Sequence, residues 1–351
     1  MYSAVRSKLQ PFKKFMAMLR SHLDGVRAWS LNPSFHTLHS RAGFQYLRGA
    51  GRTSEAGTRG HPLDWHQVLM NSPASAPSAR GPFAVCTHSF EARDPARDRL
   101  FSCDIRCPDE PGAWPLVLYS HHSRGNRRSA TYLTAHLASH GYLVAALDHS
   151  EVVAPEIAGN VQGFIANRVP DARFLLDYML AGAIPCTARP DPDRIAIVGH
   201  SFGGWTALAL PETDTRIQAV VALAPGGASN PKPGIIPATL SFNWPRPPAT
   251  LYIVAEDDVL TPIAGMHELY SRTPGPKQMV VLPRADHLHF VDNVEQAHEQ
   301  LRAASLPPEA SWISREMRPI SELCTGEEAH RQIQSHTLAH LNAALSRRTA
   351  P

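Results

Sequence analysis

"DRIAIVGHSFGGWTALAL", residues 193–210, passes from an apolar run into a serine framed by glycines and then into small and apolar residues. Gly199-His200-Ser201-Phe202-Gly203 fits Gly-x-Ser-x-Gly. An apolar run before it and a helical pattern after it predict a strand, a sharp turn and a helix, the context of a nucleophile elbow. In such a turn the serine backbone is strained. Side chains two positions before and after it would strike the neighbouring strand and helix, which accounts for Gly199 and Gly203. Gly204 is expected to let the helix lie close to the sheet. Ser201 is left with an exposed hydroxyl at a helix N-terminus, where developing negative charge is favoured.

The same alternation runs outward in both directions. Residues 115–122, 142–150, 194–199, 217–225, 249–257 and 277–283 read as buried strands. Residues 129–141, 169–182, 201–211 and 327–348 read as helices, the first closed by Gly141 and the third stopped by Pro211. Apolar strands alternating with helices predict an α/β architecture with a mostly parallel central sheet and helices on both faces. Ligands bind beyond the carboxyl ends of such strands.

A serine hydroxyl needs a base and the base needs an orienting acid. Two strands downstream of Ser201 end in suitable groups, in the order serine, acid, histidine. The first offers Asp257 and Asp258. Asp258, deeper in the loop before Pro262, is the candidate acid, and Asp257 is expected to be solvated or to cap a turn. The second offers His287 and His289. His287 is the candidate base, His289 has apolar neighbours expected of a packed histidine, and Asp286 is expected to form a local turn. Oxyanion donors are expected from the backbone amide of Phe202 and, in the loop "YSHHSRGN" (119–126), from that of Ser123. Residues 151–168 and 226–250 are expected to supply pocket walls. Phe242 and Trp244 either line an acyl site or pack beneath the second of these loops.

The chain has 351 residues, 43% hydrophobic and 19% charged, with a net charge of +3. That is ordinary for a globular protein and too little for nucleic-acid binding. Residues 1–80 carry eleven Lys and Arg against three Asp and Glu. This stretch is expected to be a basic, poorly ordered extension, joined to a domain at 81–351 through the Pro/Ser/Ala-rich segment 70–83. Its composition also suits a transit peptide. No signal peptide or membrane span is visible, so a cytoplasmic location is expected, with an organellar one as the alternative. Cysteines 86, 103, 107, 186 and 324 have no framework spacing and read as free thiols. The histidine pairs lack a carboxylate at metal-ligand spacing, so neither metal nor other cofactor is expected.

The segments 115–150, 191–210, 216–225, 251–262 and 285–290 resemble the α/β-hydrolase superfamily. More narrowly they are similar to its dienelactone-hydrolase-like and platelet-activating-factor-acetylhydrolase-like serine esterases, relatives of the polyester hydrolases. The resemblance spans roughly residues 82–348. It implies cleavage of a small-molecule carboxylic ester through an acyl-enzyme, with Ser201, Asp258 and His287 as the triad and the amides of Ser123 and Phe202 at the oxyanion. Non-catalytic ligand binding, and amide hydrolysis or acyl transfer by the same triad, are the alternatives. Two departures stand out. His122 occupies a position usually held by glycine, and Gly226 replaces the tryptophan that polyester-cleaving relatives carry.

Overall fold

The computed structural model describes residues 80–182, 184–228 and 236–346. The expectations for residues 1–79 lie outside them. Eight strands form one sheet in the order β1-β2-β4-β3-β5-β6-β7-β8. β3 (Gly112–Ser120), β4 (Leu143–Leu147), β5 (Ala188–His200), β6 (Ala219–Leu223), β7 (Ala249–Ala255) and β8 (Lys277–Leu282) are parallel. β2 (Arg99–Pro108) runs antiparallel to both neighbours, β4 and β1 (Val85–Asp94). This is the α/β-hydrolase fold.

Successive residues of a strand point to opposite faces, and both faces here are apolar and covered. Leu116 and Leu118 of β3 face a core built on α4 (Val161–Leu180) and α5 (Phe202–Ala209), whereas Val117 and Tyr119 face one built on α1 (Thr131–Ser139) and α9 (Gly326–Ala344). A satellite core of Leu301, Ile313 and Met317 joins α7 (Val294–Arg302) to α8 (Ser311–Glu316) beyond the strand ends.

Several expectations need correction. The β1–β2 hairpin was not anticipated, although the alternating burial of β1 is the period-two signal of a half-covered strand. Residues 151–168 are not a loop. They form α2 (Ser150–Val153), α3 (Pro155–Ala158) and the first two turns of α4. α4 starts where the Asn160 side chain accepts the amides of Gln162 and Gly163. Pro170, a natural first-turn residue, lies instead in its interior. The five cysteines are free thiols. Among the described residues no helix is long and apolar enough to cross a membrane, and no group of three or more His, Cys, Asp or Glu could hold a metal ion.

Candidate active site

β5 delivers Ser201 to the carboxyl edge of the sheet, and α5 begins at the next residue. Ser201 has φ 57° and ψ −116°, a conformation that costs an L-residue on the order of 1–3 kcal/mol. Its amide donates to Leu223 O at 2.9 Å and its carbonyl accepts from Gly226, so β6 and the loop beyond it hold the turn. A Cβ at Gly199 would lie 2.0 Å from the Gly203 carbonyl oxygen, and one at Gly203 2.0 Å from that of Ser120. Only glycine fits at either place.

The two downstream strand ends meet the serine. His287 Nε2 lies 2.8 Å from Ser201 Oγ, and His287 Nδ1 lies 2.7 Å from Asp258 Oδ2. The carboxylate requires a donor, so Nδ1 carries the proton and Nε2 is left to accept from the hydroxyl. Asp258 is 4% exposed and accepts from the amides of Leu260 and Thr261 and the Thr261 hydroxyl. Asp257 points elsewhere, into an ion pair with Arg318. His289 is fully buried. Its Nδ1 faces Asp286 and its Nε2 faces Cys324 O, while Asp286 caps the short helical turn that carries His287.

Phe202 opens α5, where the first amides of a helix have no partner within it. Ser123 lies across the pocket in the loop after β3. The cavity between them measures about 440 Å³. Its walls come from residues 122–129, the segment after β6 (Pro225 to Ala228, Ile236, Ala238), Leu260 and Met266, and the stretch from Leu288 to Ile313. Residues 151–168 contribute nothing to it. Phe242 and Trp244 also stay out. Of their two expected roles they take the packing one, with Trp244 donating to Leu208 O and Phe242 under the Arg272 guanidinium. The wall from α7 and α8 was not anticipated. His122 does line the cavity, and Gly226 leaves space beside Ser201.

Histidines crowd this end of the sheet. The His200 ring centre lies 4.8 Å from that of His287 and 5.5 Å from that of His122. Burial pushes His121, His149 and His200 well below the ordinary histidine value, and holds His122 and His136 at about 4. His200 therefore sets no second positive charge beside His287. These five groups protonate near 6.5 once the chain unfolds, so the unfolded state gains protons that the folded state refuses. Stability is then lost as the pH falls through 6.5, by about 1.4 kcal/mol per histidine between pH 7.5 and 5.5. His289 works the other way. Burial opposes its charge, but Asp286 and the Cys324 carbonyl raise it to about 10. Its contribution to the folded form grows as the pH falls toward the unfolded value and is fully present below it. Glu151 and Asp171, raised by burial, act in the same sense as His289. The expected balance is a loss of a few kcal/mol, read as a fall in the urea midpoint from pH 7.5 to 5.5. An unchanged midpoint refutes the neutral cluster.

A family model described as Chlorophyllase matches residues 79–246, a span that holds Ser123 and Ser201 and ends before Asp258. Cutinase est1 of Thermobifida alba is 25% identical over 250 residues, covering 70% of this chain and 76% of the cutinase. Chlorophyllase-1, chloroplastic, of Citrus unshiu is 29% identical over 139 residues, 40% of this chain and 41% of its own length. The solved ferulic acid esterase of Streptomyces cinnamoneus superposes with a TM-score of 0.56 at 21% identity, over 79% of this chain and 94% of that one. Together with the fold, these relatives place the chain in the α/β-hydrolase superfamily, among its carboxylic ester hydrolases.

Proposed function

We propose that Ser201, His287 and Asp258 carry this ester hydrolysis as a triad. The observation that bears most weight is the continuous line from Ser201 Oγ through His287 to Asp258, with contacts of 2.8 and 2.7 Å. His287 Nε2 takes the hydroxyl proton as Oγ bonds to the carbonyl carbon. The carbonyl π pair becomes an oxyanion facing the amides of Phe202 and Ser123. Collapse expels the alcohol, which leaves with the proton from His287, and water repeats the sequence on the acyl-enzyme. Asp258 holds the imidazole tautomer and offsets its charge.

The substrate is a small-molecule ester with an apolar portion. Ile236, Leu260, Met266, Leu288, Val291 and Leu301 support this by lining the cavity. The relatives' names, cutinase and chlorophyllase, favour a carboxylic ester as the bond cleaved. Neither nucleic acid nor a cofactor enters this reading, a cytoplasmic location fits it, and residues 1–80 stand outside the catalytic domain.

A fluorophosphonate probe is expected to label one residue, Ser201, as found by peptide mapping. In a p-nitrophenyl ester series, kcat/KM is expected to rise about tenfold from acetate to butyrate, since each buried methylene contributes about 0.8 kcal/mol. Stoichiometric labelling elsewhere with Ser201 unmodified overturns the assignment.

A further inference from the structure

Arg168 of α4 has a completely buried side chain, the largest such in the described molecule, yet it does not line the cavity. Its partners lie at the end of β3 and in the loop after it, in α2 and in α5, with Nη1 3.5 Å from Ser120 Oγ. Nη1 donates to His121 O at 2.6 Å and Nη2 to His122 O at 3.1 Å. Nη2 also pairs with Glu151, which is itself buried. The guanidinium carbon sits 4.8 Å from the ring centre of Phe202. Arg168 therefore holds the peptide unit that ends in the Ser123 amide and lies against the ring of Phe202, the two residues whose amides face the oxyanion in the proposed mechanism. We infer that the Arg168–Glu151 pair is the positioning device of the oxyanion site, an inference that rests on the triad reading above.

The covalent geometry gives the reason. The His122 carbonyl and the Ser123 amide are opposite ends of one peptide unit, and no described peptide is cis. In a trans unit the two dipoles point in opposite directions. Donors that hold the carbonyl from behind therefore fix where the Ser123 N–H points in front. His121 Nδ1 supplies a second such donor to the same carbonyl at 2.7 Å. A charged donor on the oxygen also polarises the unit and strengthens its N–H as a donor. On the other side of the hole, the flat guanidinium against the Phe202 ring seats the first residue of α5.

Stability is a poor explanation for the pair. Burying two charges costs more than an apolar replacement of the same shape commonly would. Among the described residues Glu151 Oε2 and Arg168 Nε have no hydrogen-bond partner, so the pair is also incompletely satisfied. What it does supply is a rigid fork that reaches two consecutive carbonyls. A lysine cannot reproduce that geometry, because its ammonium is a single point charge.

The test uses the full chain and the double substitution Arg168→Met/Glu151→Gln, which removes both charges together, with Arg168→Lys as a second variant. With p-nitrophenyl butyrate, kcat is expected to fall about 10²–10³-fold in the double variant, the effect of weakening one oxyanion donor, with KM within about twofold. Arg168→Lys is expected to fall between it and wild type. An alkyl trifluoromethyl ketone supplies the readout that a merely structural role would not move. Ser201 Oγ bonds to its carbonyl carbon, the π pair becomes an alkoxide in the hole, and the proton passes to His287. Its inhibition constant should weaken by the same factor as kcat/KM. Binding of the corresponding unreactive alkyl alcohol should be unchanged, as should near-neutral thermal midpoints to within a few degrees. If the double variant does not fold, Arg168→Lys carries the same comparison alone. Wild-type kcat in the folded variants overturns the inference, as does a fall in kcat without loss of ketone affinity. Ser201→Ala, run alongside, separates the two readings. If it keeps activity the triad fails. If it is inactive while the Arg168 variants are fully active, only the positioning role fails.

Discussion

Ser201→Ala is expected to lower kcat about 10⁶-fold on p-nitrophenyl butyrate while leaving KM and the fold unchanged, the size of effect that removing the nucleophile has in other serine triads. The substitution deletes a single atom, Oγ, which lies 2.8 Å from His287 Nε2. Alanine keeps the Cβ, so the backbone at φ 57° is strained as before and the glycines around it fit as before. Residual turnover above the water rate should survive, because the amides of Phe202 and Ser123 and the cavity remain. Adding His287→Ala should therefore cost almost nothing more, since a base without its nucleophile has no proton to take. Steady-state kinetics of the two variants decide the matter. Activity of Ser201→Ala within tenfold of wild type refutes covalent catalysis at this residue.

What the sequence made legible was whatever depends on a few adjacent residues. Gly199 announces the turn because the clash that excludes a Cβ there is local, with the Gly203 carbonyl four residues away, whereas Gly203 is readable only through the spacing of the motif, since its Cβ would strike Ser120 on another strand. Asp258 and His287 were readable because a strand of apolar residues ends just before each, and the sheet carries both ends to one edge. Asp258 was preferred to Asp257 for its place deeper in the loop before Pro262, and the structure gives that place an Asx-type turn through Leu260 and Thr261. The pocket was less legible. Leu288, Leu301 and Ile313 become a wall only when α7 and α8 close on one another beyond the strand ends. Nothing within either helix says what its apolar stripe will cover. Arg168 was hidden for a related reason. An arginine in a helix is usually solvated, and its burial here depends on carbonyls 46 and 47 residues away in sequence. Pro170 drew the start of α4 eight residues too late, because proline at a first turn is the commoner arrangement and the Asn160 cap was overlooked.

Asp258→Asn is expected to lower kcat about 10⁴-fold, and the reason lies in how many donors converge on this carboxylate. Oδ1 accepts from the amides of Leu260 and Thr261, at 2.8 Å each. Oδ2 accepts from the Thr261 hydroxyl and from His287 Nδ1, both at 2.7 Å. An asparagine side chain has one oxygen for these four donors. The two backbone amides cannot rotate away, so the oxygen goes to them and the NH₂ turns toward the histidine. Nδ1 must then accept, which moves its proton to Nε2, and Nε2 can no longer take the hydroxyl proton of Ser201. The loop stays satisfied and the imidazole stays in place, so KM should hardly change and the thermal midpoint should fall little. Asp257→Asn is the control. Among the described residues its carboxylate pairs with the half-exposed Arg318, a contact worth at most about 1 kcal/mol of stability. That variant should turn over within twofold of wild type. If the two substitutions exchange effects, the acid has been misassigned. If neither lowers kcat, His287 is held by its packing against His200, itself stacked on Phe290, and the carboxylate is dispensable to the chemistry.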